Sequence, residues 1–304
     1  MITNLVLATT LALAPSPGFS WSVQPSGPKG PTGRDYFSYS AAPGDTIKDT
    51  VGVTNRSSEK MTFKVYATDA FNTADGSFAL LTADKKPDDV GSWISLTKRT
   101  FTVKPGKRVD VPFTVKVPEN AAPGDHSGGV LAAVTQQETT GDGQKVNVDR
   151  RVAARLHLRV NGPTTTALKV DRITASHDGP IVGDRTVKVS YRVTNTGNIR
   201  LTANAKVYTE ALFTWPQGAA AEREIPELLP GSSYTFTDEI TGVLPAGPLK
   251  ASVRLTPSDP GGLSPARIDP TTRSITFWAV PWVVLGAAVV IALLLIRRRR
   301  PARR

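Results

Sequence analysis

Residues 146–160, VNVDRRVAARLHLRV, alternate in polarity. Val146, Val148, Val152, Ala154, Leu156, Leu158 and Val160 share one parity, while Asn147, Asp149, Arg151, Ala153, Arg155, His157 and Arg159 share the other. Successive side chains of a strand leave opposite faces, so this period of two predicts a strand with its apolar row on a core and three arginines and a histidine on the far side. Short alternating segments of this kind, separated by Gly, Pro, Asn and Asp, fill most of the chain. DTIKDTVGVTN, KMTFKVYATDAF, RTFTVKPGKRVDVPFTVKVP, GGVLAAVTQQ and KVNVDRRVAARLHLRV form one set. After NGPTTT at 161–166 a second set follows: TALKVDRITASHDG, TVKVSYRVTNTGN, RLTANAKVYTEALF, SSYTFTDEITG and PLKASVRLTP. The expected fold is all-β, two tandem immunoglobulin-like β-sandwich domains over 21–162 and 163–256.

An internal echo points the same way. VTNRSSEKMTFKVY at 53–66 and VTNTGNIRLTANAKVY at 193–208 share a Val-Thr-Asn turn and a strand ending in Val-Tyr, and each is followed by a Pro-Gly pair, in KPGKRVDVPF and LPGSSYTF. Pro fixes φ and Gly admits the left-handed turn position, so both pairs predict tight turns.

The two ends break the pattern. MITNLVLATTLALA followed by PSPGFS has the form of a secretory signal over 1–20, although no Lys or Arg precedes the apolar run. FWAVPWVVLGAAVVIALLLI at 277–296 carries no charge and matches the roughly 20 residues of a membrane-crossing helix. Trp278 and Trp282 would sit at the membrane interface, and Arg297 and Arg298 open the basic tail 297–304, which the positive-inside rule places in the cytoplasm. The Pro- and Gly-rich stretch 257–276 is expected to be a tether. The expectation is therefore a single-pass cell-membrane protein with its two domains outside and the lipid bilayer as one partner.

Composition narrows the chemistry. There is no cysteine, which removes disulfides and thiolate chemistry and leans toward a bacterial surface. The net charge is +11, and six of those charges are the arginines of the tail, leaving about +5 for the remainder. That mild excess lacks the clustered pattern of nucleic-acid binders and suits acidic wall polymers better. GDHSGG at 124–129 nearly spells a serine-protease motif, but neighbouring Asp125, His126 and Ser127 point in different directions, and the expected reading is a turn. The histidines are far apart, Asp88 and Asp89 read as loop charges, and no catalytic residue, metal site or cofactor is predicted. Tyr36 and Tyr39, near Trp21 and Phe37, are candidate sugar-stacking rings, whereas Trp93 reads as a core ring.

WSVQPSGP, YFSYSAAPGDTIKDTVGVTNRSSEKMTFKVYATDA, SWISL, KPGKRVDVPFTVKVPENAAPGDHSGGVLA and RRVAARLHLRVNG resemble, in that order, the peptidoglycan-binding domain of the WxL-interacting proteins of Gram-positive bacteria, over roughly residues 20–162. The Ala, Arg and Gly content suggests an actinobacterial relative. The resemblance implies a non-enzymatic surface protein whose first domain holds peptidoglycan or an associated anionic wall polymer, with the second domain a spacer or a module for a surface protein partner. Arg151, Arg155, His157 and Arg159, with Tyr36 and Tyr39, are the candidate wall-binding residues on the residue pattern alone. The alternative is a protein-interaction or adhesion module that pairs an exposed strand with a secreted or surface protein.

Overall fold

The structure, a computed structural model, describes residues 20–139, 144–178, 185–211, 215–245, 247–262, 268–280 and 282–299. All but the last residue of the expected signal over 1–20 lies outside these. Strands β1 (Trp21–Gly27), β2 (Gly30–Pro31), β3 (Phe37–Ala41), β4 (Thr46–Asn55), β5 (Met61–Asn72) and β6 (Phe78–Leu80) come first. They are followed by a one-turn helix α1 (Val90–Trp93) and strands β7 (Ile94–Leu96), β8 (Thr100–Val103), β9 (Arg108–Lys116), β10 (Gly124–Thr139) and β11 (Lys145–Val160). One sheet runs β2-β1-β4-β9-β7 and the other β3-β11-β10-β5-β6, with β8 also on β5. Pairing is antiparallel throughout this unit except for β3, which lies parallel to β11.

The second unit holds β12 (Leu168–Asp178), β13 (Thr186–Asn195), β14 (Leu201–Glu210), β15 (Pro216–Ala219), β16 (Arg223–Leu228), β17 (Ser233–Ile240), β18 (Gly247–Ser258) and β19 (Thr271–Ala279). Its sheets are β12-β13-β17 and β15-β14-β18-β19, with β16 also on β14. Helix α2 (Trp282–Arg299) ends the described chain.

Each unit closes its own core by strand alternation. In β5 Met61, Phe63 and Val65 point inward while Thr62 and Lys64 face out; in β13 Val187, Val189, Tyr191 and Val193 do the same. Aromatic edges lock the first core, with Phe37 edge-on to Phe113 at 5.1 Å and Trp21 tilted on Phe63 at 5.7 Å. The indole N–H of Trp21 donates to the carbonyl of Ala132 at 3.2 Å.

The echo proves to be one structural device used twice. Asn55 is fully buried and its amide donates to the carbonyls of Glu59 at 2.7 Å and Val103 at 3.0 Å, while its oxygen accepts from the N–H of Ser57 at 2.9 Å. Asn195, equally buried, donates to Ile199 at 2.7 Å and Leu228 at 2.9 Å and accepts from Gly197 at 3.0 Å. The Pro-Gly turn closes beside each: the N–H of Gly106 donates to the Asn55 carbonyl and that of Gly231 to the Asn195 carbonyl, both at 3.0 Å. Gly106 and Gly231 have φ of 65° and 75°, where a side chain is strained.

Two expectations are corrected. Residues 257–276 are not an extended tether: β18 runs through Ser258 and β19 begins at Thr271, so the chain folds back into the sheet, with Leu255 paired to Thr271. The predicted 277–296 helix also fails at its start, because Phe277, Trp278 and Ala279 pair with Leu249, Pro248 and Gly247 as the end of β19. Helix α2 starts at Trp282, and its charge-free portion, 282–296, is about 22 Å long at 1.5 Å per residue, short of a hydrocarbon core of about 30 Å. Among the described residues no helix is long and apolar enough to cross a membrane.

Replacing either buried asparagine with alanine strands two carbonyls and an N–H. Asn55→Ala and Asn195→Ala are each expected to cost about 2–4 kcal/mol, read as a lowered denaturant midpoint. A change under about 0.5 kcal/mol, the usual range for an ordinary surface substitution, would show that the device is dispensable.

Candidate functional site

The predicted row on β11 divides in two. Arg151 and Arg155 are exposed; His157 and Arg159 are buried, 4% and 8% exposed. The far face of the sheet is wet only at its upstream end, because the second unit covers its downstream end. The Arg159 guanidinium donates from Nε and Nη2 to Asp125 at 2.6 and 2.7 Å and from Nη1 to Asp259, beyond β18, at 2.9 Å. Asp125 also accepts the backbone N–H of Arg200 at 2.9 Å, and Arg200 reaches Glu227 at 3.1 Å. Asn72 and Asn198 add further bonds across the junction, to Glu227 O and Pro123 O, both at 2.8 Å. Arg159 is therefore a junction residue, not a wall-facing one.

His157 lies at the same junction. Its Nδ1 meets Ser127 Oγ at 2.9 Å, Tyr36 stands edge-on at 5.5 Å and Phe78 at 5.8 Å. Burial, with Arg200 and Arg155 nearby, pushes its pKa down to about 3, so the 3.9 Å approach of Glu227 is not an ion pair at neutral pH. Nor is it a relay, since Ser127 and Glu227 approach the same ring nitrogen and Ser127 is buried.

The other predicted residues scatter. Tyr39 shares the inward parity of Phe37, stacks on it at 6.1 Å and donates to Asp49 at 2.7 Å, so it is no exposed platform; Tyr36 is half-exposed beside His157. Trp93 is partly buried and packs on His126 at 4.6 Å. Trp278 is exposed on β19, Trp282 starts α2, and Arg297 and Arg298 sit in its last turn. Among the described residues no three His, Cys, Asp or Glu side chains converge as metal ligands.

A basic cleft lies on the outer face of the β5 sheet, under the segment 81–93. Lys64, Tyr66 and Thr68 stand in the outward row of β5. Asp69, next in the chain, is buried and staples the overlying segment, accepting the backbone N–H groups of Asp88 at 2.8 Å, Asp89 at 2.9 Å and Gly91 at 2.6 Å. A Cβ at Gly91 would fall 2.5 Å from the backbone of Thr68, so only glycine lets α1 lie this close. His126 Nδ1 reaches Asp89 at 2.5 Å and its Nε2 reaches the Ala122 carbonyl at 2.9 Å. Burial opposes the imidazolium there, but these two bonds outweigh it and raise its pKa. Asp89 is thus a structural anchor rather than a solvated loop charge.

The stapled segment encloses about 450 Å³ between β5, Lys85, Lys86, Ile94 and Arg99. Four cations, Lys64, Lys85, Lys86 and Arg99, line it with no carboxylate among the lining residues, and no ion pair holds any of them among the described residues. Thr68 Oγ1 and Tyr66 Oη, both buried atoms, have no hydrogen-bond partner among the described residues. Across β6, β10 and β11 a second groove of about 290 Å³ carries Arg151 and Arg155, the latter over the Phe78 ring at 4.7 Å. Sequence reasoning placed Arg151 and Arg155 on an outward face and missed the cleft. The one local signal was the adjacent Lys85-Lys86 pair ahead of Pro87.

Residues 21–133 match the family described as WxL Interacting Protein, peptidoglycan binding domain. The match covers the first sandwich from β1 into β10; β11, which completes its sheet, lies beyond the matched residues. Comparison with curated proteins finds no match. Among solved structures, the chaperone–tip adhesin complex of CFA/I fimbriae is similar at 11% identity and a TM-score of 0.43, over 86% of this chain and 99% of that one. The class 5 fimbriae chaperone CfaA is similar at 10% and 0.42, over 86% and 100%. The CupB2 chaperone of Pseudomonas aeruginosa follows at 11% and 0.37, over 81% and 97%. At such scores the fold rests on the sheets and cores of this chain itself.

The buried neutral His157 makes stability depend on pH. Its folded pKa is depressed below the ordinary imidazole value near 6.5, so the unfolded chain takes up a proton first as pH falls, and stability is lost between about 6.5 and 3 by up to about 1.4 kcal/mol per pH unit. Between pH 7 and pH 5, above the main carboxylate range, His157→Gln is expected to lose less Tm than the parent protein. Equal losses would show that the ring is accessible to protons in the fold.

Proposed function

We propose that the protein is a non-enzymatic cell-surface protein that holds peptidoglycan through its first sandwich. The observation that carries this reading is the match of residues 21–133 to the peptidoglycan-binding domain family. The face available for it bears Lys64, Lys85, Lys86, Arg99, Arg151 and Arg155 around two grooves, a setting for an anionic polymer. The second sandwich is a spacer locked to the first by the Arg159–Asp125–Asp259 bridge, which fixes where the wall-binding face points. The test is co-sedimentation of the full chain, in detergent, with purified sacculi. The chain is expected to pellet at low salt and to bind progressively less as salt rises, because exposed charge contacts are screened within about 10 Å at 0.1 M. A chain that stays in the supernatant at every salt concentration overturns the reading and favours a protein partner.

The membrane is the second attachment in this proposal. Helix α2 has exposed apolar side chains from Leu285 to Ile296 and ends in arginines. The sheet from which it leaves offers Trp215 and Trp278, each 72% exposed, and Leu244, 64% exposed. The register gathers these at one end, since Glu210 pairs with Pro216 and Lys250, Lys250 with Thr276, and Gly247 with Ala279. Indole rings favour the interface, and long cationic side chains reach out of a thinned bilayer, which suits the short apolar length of α2. The full chain is expected to float with phospholipid vesicles and a chain ending at Val280 to stay behind. Flotation of the shortened chain, or failure of the full one, would remove α2 from this role.

A further inference from the structure

The cleft under the 81–93 segment holds an arrangement that the fold itself does not need. A buried hydroxyl without a partner costs stability, yet Thr68, 1% exposed, keeps Oγ1 unpaired at the cleft, and Tyr66 Oη beside it is also unpaired. Four cations surround these two hydroxyls with no lining carboxylate. Apolar Ile94 and Leu96 complete the lining. A ligand that satisfies all three features carries a negative charge, hydrogen-bonding groups for the hydroxyls, and aliphatic groups for the apolar wall.

We propose that this cleft binds the peptide stems of peptidoglycan, with a stem carboxylate among Lys64, Lys85, Lys86 and Arg99 and stem amides on the Thr68 and Tyr66 hydroxyls. The inference rests on the wall-binding reading above and deepens it. A phosphate-linked polyol polymer supplies the charge and oxygens for the hydroxyls but no aliphatic side chains, so it leaves the apolar wall unmatched. The neighbouring Arg151 and Arg155 groove shares the cationic character but has no unpaired buried hydroxyl among the described residues.

The experiment uses the full chain in detergent and three sacculus preparations: untreated, stripped of phosphodiester-linked polymers with hydrofluoric acid, and amidated at carboxylates with carbodiimide and an amine. Stripped sacculi are expected to bind as well as untreated ones, and amidated sacculi about tenfold more weakly, the sum of several exposed charge contacts. The triple variant K64A/K85A/K86A should weaken binding to untreated sacculi by a similar factor. Thr68→Val should weaken it about threefold while keeping or raising Tm, because it deletes an unpaired hydroxyl; a role confined to packing would not lower affinity at constant or higher Tm. R151A/R155A, outside the cleft, should weaken binding less than the triple variant does. Parent binding that survives all the cleft substitutions, or that R151A/R155A abolishes instead, overturns the cleft and leaves wall binding intact. Loss on acid stripping without loss on amidation overturns the peptide ligand in favour of a phosphate polymer. A parent chain that binds no preparation overturns both readings.

Discussion

A strand has two faces, and β11 uses both along its buried length. Its even-numbered residues from Ala154 to Val160 fill the first core, and no shift of register could move them without exposing the whole row. The odd-numbered residues are therefore committed to the opposite face, where two different environments meet them. Upstream, Arg151 and Arg155 remain in solvent beside the 72–93 segment; downstream, His157 and Arg159 are roofed by the second sandwich. Because β10 pairs with β11 from Gly124–Val160 to Thr139–Lys145, the strand that carries Asp125 is fixed in the same register. Core, groove and junction thus share a single geometric constraint.

The junction is electrostatic where a hydrophobic one would have been simpler. One guanidinium faces two carboxylates, and a second arginine, Arg200, shares Asp125 and Glu227. Buried charges repay their desolvation only when their geometry and hydrogen bonds are complete, so such a cluster favours one mutual orientation more than it favours association itself. Neutral His157 belongs to the same logic: a proton there would add a third positive charge near Arg155 and Arg200, and its low pKa keeps that charge away. For a protein that links wall and membrane in the proposed way, a fixed orientation between the sandwiches keeps the distance between the two attachments from varying at this joint.

Alternation made the sheets legible, and the repeated Val-Thr-Asn and Pro-Gly signals marked two matching turns but not the buried asparagine that ties each together. What alternation does not report is which outward face another domain will cover. Asp259 lies 100 residues from its partner Arg159, and nothing local marks the pair. The C-terminal misreading has a related cause. Phe277 and Trp278 are apolar whether they begin a helix or end a strand, and a run of apolar residues does not distinguish the two. The Pro and Gly residues after Ser258 mark a loop between paired strands rather than an extended tether. The cleft was hidden because Lys64, Lys85, Lys86 and Arg99 come from three segments that one buried carboxylate, Asp69, and one permissive glycine, Gly91, bring together.

Flexible lysines around a pocket bind weakly one at a time, since each exposed pair contributes about 0.2–1 kcal/mol and ordering the side chain takes part of that back. A rigid floor alters this balance. Tyr66 and Thr68 pair with Leu131 and Gly129 of β10, and their hydroxyl oxygens are buried, so both are largely positioned before a ligand arrives. On a wall the same short unit recurs along a polymer, and weak single contacts become firm attachment by avidity among many tethered copies. A surface built from a rigid polar floor and mobile cationic walls therefore suits a repetitive, insoluble ligand better than a single soluble one, for which the same contacts would have to act alone.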